Sequence, residues 1–276
     1  MEIEQAVARH YAHGSLEETI LEALAAAGKD VNRLAPKDLA PVDEFHVGGR
    51  QATVAFADQF GLRPGMRLLD VGCGLGGAAR YFAHEHGCHV AGIDLSGEYV
   101  DVANALAARV GLGERVSCKA GSALALPFAP GHFDGAYMFH VGMNIENKAR
   151  LFAEVHRVLA PAGVFGIYDV MRLAAGELSY PVPWASGPES SFVADAATYR
   201  RLLAAAGFEV LRERDRRDFA LEVFGQMRTR AAAGGPGPLG LHIVMGASAA
   251  QKVKNMIGDI SAGLVAPTEM ICRVAA

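Results

Sequence analysis

The chain has 276 residues, of which 51% are hydrophobic and 20% charged, and this is enough apolar material for one large α/β domain. With a net charge of −4 the protein as a whole does not attract nucleic acid, so we expect no nucleic-acid partner. No apolar run has the length of a membrane span, and the first residues lack the basic and apolar regions of a secretory signal.

Residues 1–60 are predicted to form an N-terminal helical cap. Three residues recur there at helical spacing, namely Ile3, Val7 and Tyr11. Ser15 and Glu18 have the spacing of a capping box, which predicts a helix that ends near Gly28. A loop containing two prolines follows, and the last helix of the cap is predicted from about residue 49 to residue 60.

Residues 61–217 are predicted to form the core, because short apolar strands alternate there with helices. Six strands are predicted, at 68–71, 89–93, 115–120, 133–139, 164–170 and 208–214. Ser96 and Asp195 are predicted to cap two of the intervening helices. The alternation indicates a Rossmann-like α/β fold, with a mostly parallel sheet that carries helices on both faces.

Two later segments interrupt this pattern. Residues 172–194 are rich in proline and are predicted to form a loop over an opening of the core. Residues 218–263 are mostly helical, are broken by a Gly/Pro stretch at 234–238, and are predicted to form a lid. Residues 264–276 would then add the last strand, which brings the sheet to seven strands.

A glycine-rich turn follows the first strand of the core, in the stretch Asp70-Val-Gly-Cys-Gly-Leu-Gly-Gly77. Glycines at this point allow a sharp turn and a close approach to a ligand at the carboxyl edge of the sheet. Asp70 lies two residues before Gly72, where a carboxylate would oppose the diphosphate of a nicotinamide dinucleotide. S-adenosylmethionine (SAM) has no phosphate and carries a sulfonium and an ammonium, so the turn favours SAM.

Asp94 ends the second strand, where its carboxylate can accept hydrogen bonds from both ribose hydroxyls of a nucleoside. This feature suits NAD as well as SAM. An NAD(P)-dependent oxidoreductase therefore stays an alternative, although the chain contains no Tyr-x-x-x-Lys pair. A SAM-binding module without catalytic activity is the second alternative.

With these motifs the chain resembles the class I SAM-dependent methyltransferases, in the group of the sarcosine/dimethylglycine, sterol and quinone-biosynthesis enzymes. The matching stretches are 68–77, 92–96, 121–128, 133–139 and 155–163. The resemblance covers roughly residues 60 to 215 and implies SAM as the cofactor, with S-adenosylhomocysteine (SAH) as its product.

The resemblance also implies roles for individual residues. Gly72, Cys73 and Gly74 would line the methionine part of SAM beside Asp70. The ribose and adenine end would be held by Asp94, Leu95, Ser122 and Ala123. Many relatives carry an acidic residue at the place of Ser122, and a serine hydroxyl is a weaker, neutral acceptor for the adenine amino group.

His140 follows the fourth strand at the same edge of the sheet, so it is our candidate for a general base. The alternative role is a hydrogen bond to SAM or to the backbone. Contact with the acceptor is predicted for four further residues, Tyr11, His46, Trp184 and His242. For Tyr11 and His46 the competing interpretation is a purely structural role.

The predicted function is methyl transfer to nitrogen or oxygen of a small-molecule acceptor, and methylation of carbon stays open. Four cysteines occur without the spacing of a CxxC pair or a zinc site, namely Cys73, Cys88, Cys118 and Cys272. We therefore expect no metal, and reduced thiols in a cytoplasmic protein. The sequence leaves open whether the chain forms a homo-oligomer.

Overall fold

The structure is a computed structural model that describes residues 3–5, 7, 15–234 and 237–275. From residue 16 on, the described part of the chain has ten α-helices: α1 (Leu16–Ala26), α2 (Pro36–Asp43), α3 (Gly49–Ala57), α4 (Gly77–His86), α5 (Gly97–Arg109), α6 (Lys148–Val158), α7 (Ala196–Ala205), α8 (Arg217–Gly234), α9 (His242–Met245) and α10 (Ala249–Ser261). The described residues among 3–7 are helical, whereas Tyr11 lies outside the described residues.

Seven strands form one sheet: β1 (Arg67–Val71), β2 (His89–Asp94), β3 (Val116–Ala120), β4 (Phe133–Phe139), β5 (Leu159–Arg172), β6 (Phe208–Asp215) and β7 (Val265–Val274). Their order is β3-β2-β1-β4-β5-β7-β6, and only β7 runs antiparallel to its neighbours β5 and β6. The order reverses at β1, so the turn after β1 lies at the switch point of the sheet. The predicted mostly parallel, seven-stranded Rossmann-like fold is confirmed.

Helices cover both faces of the sheet. On one face, Phe56 of α3 and Phe82 of α4 pack with Tyr137 of β4 in an apolar cluster. On the other face, Phe152 of α6 packs with Tyr199 of α7 in a second cluster. These two layers bury both faces of the sheet. No described helix has the length and apolar character needed to cross a membrane.

Side-chain caps fix where two of the predicted helices begin. The Ser96 hydroxyl accepts a hydrogen bond from the Tyr99 amide at 3.3 Å, and Asp195 accepts from the Thr198 amide at 2.7 Å. The capping box predicted at Ser15 is wrong, because the Ser15 side chain makes no capping bond. Instead the distant Glu98 carboxylate accepts from the first amide of α1, that of Leu16, at 3.3 Å.

The loop predicted around the two prolines is in fact helix α2. Pro36 occupies the first turn, where its missing N–H costs no helical hydrogen bond, and the Asp38 carboxylate accepts from the Ala35 amide at 2.9 Å. Leu39 and Val42 are fully buried against α1. Tertiary packing of this apolar face outweighs the helix-breaking effect of Pro41 near the end of α2.

Candidate functional site

The glycine turn between β1 and α4 is tightened by backbone hydrogen bonds to β2. The amides of Gly72 and Cys73 both donate to the Ile93 carbonyl, at 2.8 and 3.0 Å. Gly72 has a φ of +74°, and a Cβ atom there would lie 2.4 Å from the Val141 side chain. A glycine is therefore required at residue 72 for both backbone conformation and space.

A cavity of about 330 Å³ opens beyond this turn. Its lining includes all the described residues for which cofactor contacts are predicted, Asp70, Gly72, Cys73, Gly74, Asp94, Leu95, Ser122, Ala123 and His140. His46, a predicted acceptor contact, lines the same cavity. The fold thus brings these residues to one place, and their individual roles stay predictions.

Asp70 is a buried carboxyl group at the base of the cavity. The Tyr137 hydroxyl donates a hydrogen bond to Asp70 Oδ2 at 3.0 Å. Burial raises the pKa of Asp70 to about 8, and the negative charges of Asp94 and Glu44 act in the same direction, whereas the bond from Tyr137 opposes the rise. A cationic ligand would favour the ionised form of this carboxyl.

Asp94 is fixed at the end of β2 by two backbone amides. The Gly74 amide donates to Asp94 Oδ2 and the Ser96 amide to Oδ1, both at 2.9 Å. Burial raises the pKa of Asp94, and these hydrogen bonds partly offset the rise. The carboxylate therefore both orders the glycine turn and presents its remaining lone pairs to the cavity.

His140 has an unusual backbone, with a φ of +56° directly after β4. Its amide donates to the Tyr168 carbonyl at 2.7 Å, and the next amide, that of Val141, donates to Asp169 Oδ1 at 3.0 Å. Within the described chain, His140 Nε2 is buried and has no hydrogen-bond partner. Desolvation, with a smaller contribution from His46, holds the pKa of His140 well below its usual value, so its imidazole is neutral.

His46 lines the same cavity as His140, and the two ring centres are 6.1 Å apart. Its Nε2 is 3.1 Å from both the Gly49 carbonyl and the Thr53 hydroxyl, and Thr53 donates its own proton to Glu44 at 2.6 Å. Both partners of Nε2 are therefore acceptors, which assigns the proton to Nε2 and leaves Nδ1 as a lone-pair nitrogen. Burial lowers the pKa of His46 to about 4.

Two residues predicted to contact the acceptor are not brought to the cavity. Trp184 is buried in an apolar cluster with Val182 and Phe224, and its indole N–H donates to Ser191 at 3.0 Å. The indole N–H therefore already has a hydrogen-bond partner within the protein, and the ring is packed against apolar side chains. His242 is exposed on α9, and the side chain of this helix that lines the cavity is Val244.

Sequence reasoning missed several residues of the cavity wall. Asn144 and Glu146 line it from the loop after β4, and Glu4 lines it from the N-terminal segment. The position of the loop follows from the strand order, because the carboxyl ends of β1 and β4 are adjacent. The sequence carries no signal for Glu4, which is 118 residues away from its hydrogen-bond partner Ser122.

Acidic side chains are prominent in the cavity wall, although Asp70 holds its proton at neutral pH and Asp43 is paired with the buried Arg80 at 2.6 Å. Five acidic residues line it, Glu4, Asp43, Asp70, Asp94 and Glu146. No lysine or arginine occurs among the lining residues in the part of the chain that the structure describes. This distribution favours a ligand with positive charge and disfavours one with phosphate groups.

Comparison with known proteins gives the family of the core. Residues 69–167 match the family model described as "Methyltransferase domain". The sterol 24-C-methyltransferase ERG6B of Gibberella zeae is 30% identical over 167 residues, which are 58% of this chain and 43% of that protein. The chain spans less than half the length of the curated relatives it matches.

Two solved structures share the fold over nearly the whole chain. Geranyl diphosphate C-methyltransferase from Streptomyces coelicolor A3(2) has a TM-score of 0.72 at 17% identity and covers 100% of this chain and 98% of its own. The [4+2]-cyclase SpnF has a TM-score of 0.70 at 24% identity, with coverages of 99% and 97%. Together these matches show that residues 69–167, which begin just before the glycine turn, are a methyltransferase domain, in a fold that this chain shares with a methyltransferase of known structure.

Proposed function

We propose that the chain transfers a methyl group from SAM to an oxygen or nitrogen atom of a small acceptor that has no phosphate group. The cavity supports SAM as the donor, because Asp70 and Asp94, to which the resemblance gives the methionine part and the ribose of SAM, both line it. The absence of lysine and arginine among the described lining residues argues against a phosphorylated acceptor.

The observation that carries the proposal is the unpartnered Nε2 atom of His140, which belongs to a neutral imidazole in the wall of this cavity. A hydroxyl acceptor must lose its proton as the methyl group arrives, and a neutral imidazole nitrogen can receive it. An amine acceptor must itself be neutral, and a site that holds two uncharged imidazoles, His46 and His140, does not add a positive charge beside it.

Methylation of carbon is the second candidate, and the comparisons favour it. Both a sequence relative and a structural neighbour are named as C-methyltransferases. Addition of a methyl cation to an alkene leaves a positive charge on carbon, which is removed when a neighbouring C–H bond loses its proton. His140 could receive that proton as well. The likeness to a structure named as a [4+2]-cyclase also supports, as a third candidate, a reaction without methyl transfer.

The test is incubation of the protein with methyl-labelled SAM and a fractionated pool of small metabolites. We expect one labelled low-mass product, formed together with an equal amount of SAH, and NMR of that product identifies the atom that carries the methyl group. Label bound to carbon would select the second candidate. SAH binding without any labelled product would contradict methyl transfer altogether.

The role of His140 is tested with His140→Ala in the same assay. We expect turnover to fall by about a hundredfold or more, the usual contribution of a general base, while the affinity for SAH stays close to that of the wild type. His242→Ala is the matched control, because His242 is exposed and outside the cavity. Unchanged turnover with weaker SAH binding would instead give His140 a role in holding the cofactor.

A further inference from the structure

The end of the cavity assigned to the adenine carries a carboxylate that comes from the N-terminal segment. Glu4 Oε1 accepts a hydrogen bond from the Ser122 hydroxyl, and Ser122 lies just after β3. The Leu124 amide in turn donates to Ser122 Oγ at 3.0 Å. Ser122 therefore links the N-terminal segment to the edge of the sheet, and Glu4 lines the cavity beside it.

These two hydrogen bonds limit the capacity of the Ser122 hydroxyl to form further hydrogen bonds with a ligand. Its proton is directed to Glu4, and one of its lone pairs is directed to the Leu124 amide. The remaining acceptor capacity is that of a neutral hydroxyl. Glu4 provides a negatively charged acceptor at the same point, and hydrogen bonds to ionised acceptors are about twice as strong as neutral ones.

Other residues of the N-terminal segment line the cavity together with Glu4. Ile3 and Val7 line the cavity too, and in a helical segment residues 3, 4 and 7 share one face. Leu95 and Ala123, which follow β2 and β3, line the same cavity. An adenine that lies against Ser122 and Ala123, as the resemblance implies, would be next to Glu4, because Glu4 is hydrogen-bonded to Ser122.

We propose that Glu4 accepts a hydrogen bond from the exocyclic amino group of the cofactor's adenine and so makes the N-terminal segment part of the cofactor site. This inference rests on SAM as the cofactor. An amino group donates to a carboxylate, whereas the keto oxygen of a deaminated base is an acceptor and would be repelled by it. Glu4 therefore selects adenine over hypoxanthine at this point.

The experiment compares SAH with its deaminated analogue, S-inosylhomocysteine, by calorimetry. We expect the wild type to bind SAH about ten- to a hundredfold more tightly than the analogue. In Glu4→Gln the carboxamide can both donate and accept, so this preference should shrink to a few-fold. Glu22→Gln is the matched control, because Glu22 is exposed on α1 and should leave the preference unchanged.

The outcomes separate this inference from the proposed function. If the wild type fails to bind SAH, the assignment of the cofactor itself is contradicted. If SAH binds but Glu4→Gln keeps the full preference for SAH over S-inosylhomocysteine, Glu4 does not bind the amino group of the adenine. The proposal would also be overturned if Ser122→Ala lost the preference for SAH while Glu4→Gln kept it. Ser122 would then be the residue that distinguishes the two bases.

Discussion

Asp70 shows how a single buried carboxyl can prepare a site for a cation. Burial raises its pKa to about 8, so the free protein holds the proton at neutral pH. A sulfonium or ammonium placed beside it favours the ionised form, because opposite charges attract strongly where water is excluded. The bond from the Tyr137 hydroxyl keeps the carboxyl oriented in both states.

This coupling predicts a pH dependence of SAM binding. Below the pKa of about 8 the carboxyl must release its proton as SAM binds, so affinity should rise with pH and level off above that value. Calorimetry in two buffers of different ionisation enthalpy measures the released proton. Asp70→Asn cannot ionise, and its SAM affinity should be weaker and flat over this range. An identical rise with pH in Asp70→Asn would refute the role of Asp70.

The sequence predicts which residues reach the cavity better than it predicts their hydrogen bonds, as His140 and His46 show. His140 was found from its position after a strand, and the structure adds that its Nε2 is buried without a partner among the described groups. The sequence could not predict the proton position on His46, which depends on Gly49, Thr53 and Glu44 folding around one ring nitrogen.

At the scale of elements, the turn between β1 and α4 is joined to the loop after β4. Gly72 has a φ of +74° and no room for a side chain, because Val141 lies directly above it. Val141 in turn is held through its amide by Asp169, which also accepts from Tyr199 at 2.7 Å. A change in the turn should therefore displace the loop that carries His140.

Gly72→Ala tests this connection. The left-handed backbone should cost about 1–2 kcal/mol of unfolding free energy for a residue with a Cβ atom, and the clash with Val141 adds to it. Gly111→Ala is the matched control, because Gly111 has a φ of +73° and open space around it. We expect urea unfolding to reveal a loss of stability in both variants, and calorimetry to find weaker SAH binding only in Gly72→Ala. Wild-type SAH affinity in Gly72→Ala would contradict the connection.

The elements that sequence predicted well are those fixed by local patterns. The strands of the core and the Ser96 cap follow from apolar runs and from a side chain that bonds its own helix. Helix α2 could not be predicted, because its stability comes from burying Leu39 and Val42 against α1 rather than from its own proline-containing sequence. Local sequence patterns do not predict an element whose stability comes from packing against residues far away in the chain.

At the scale of the whole molecule, the cavity is closed by segments far apart in the chain. The core supplies the glycine turn, the region before it supplies His46, and the region between β6 and β7 reaches the wall through Val244. The division into cap, core, lid and last strand stays a prediction. The packing of Trp184 into an apolar cluster could not be foreseen from its proline-rich loop, since that cluster includes Phe224 of α8 and Met256 of α10.

The central claim is that this acidic cavity binds a cationic, phosphate-free nucleoside rather than a dinucleotide. Calorimetry of the wild type with SAH and with NADH tests it most directly, with Asp94→Ala as the site variant. We predict that SAH binds, that NADH does not, and that Asp94→Ala weakens SAH binding by about 1–3 kcal/mol because the ribose hydroxyls lose their acceptor. Tight binding of NADH with no binding of SAH would contradict it.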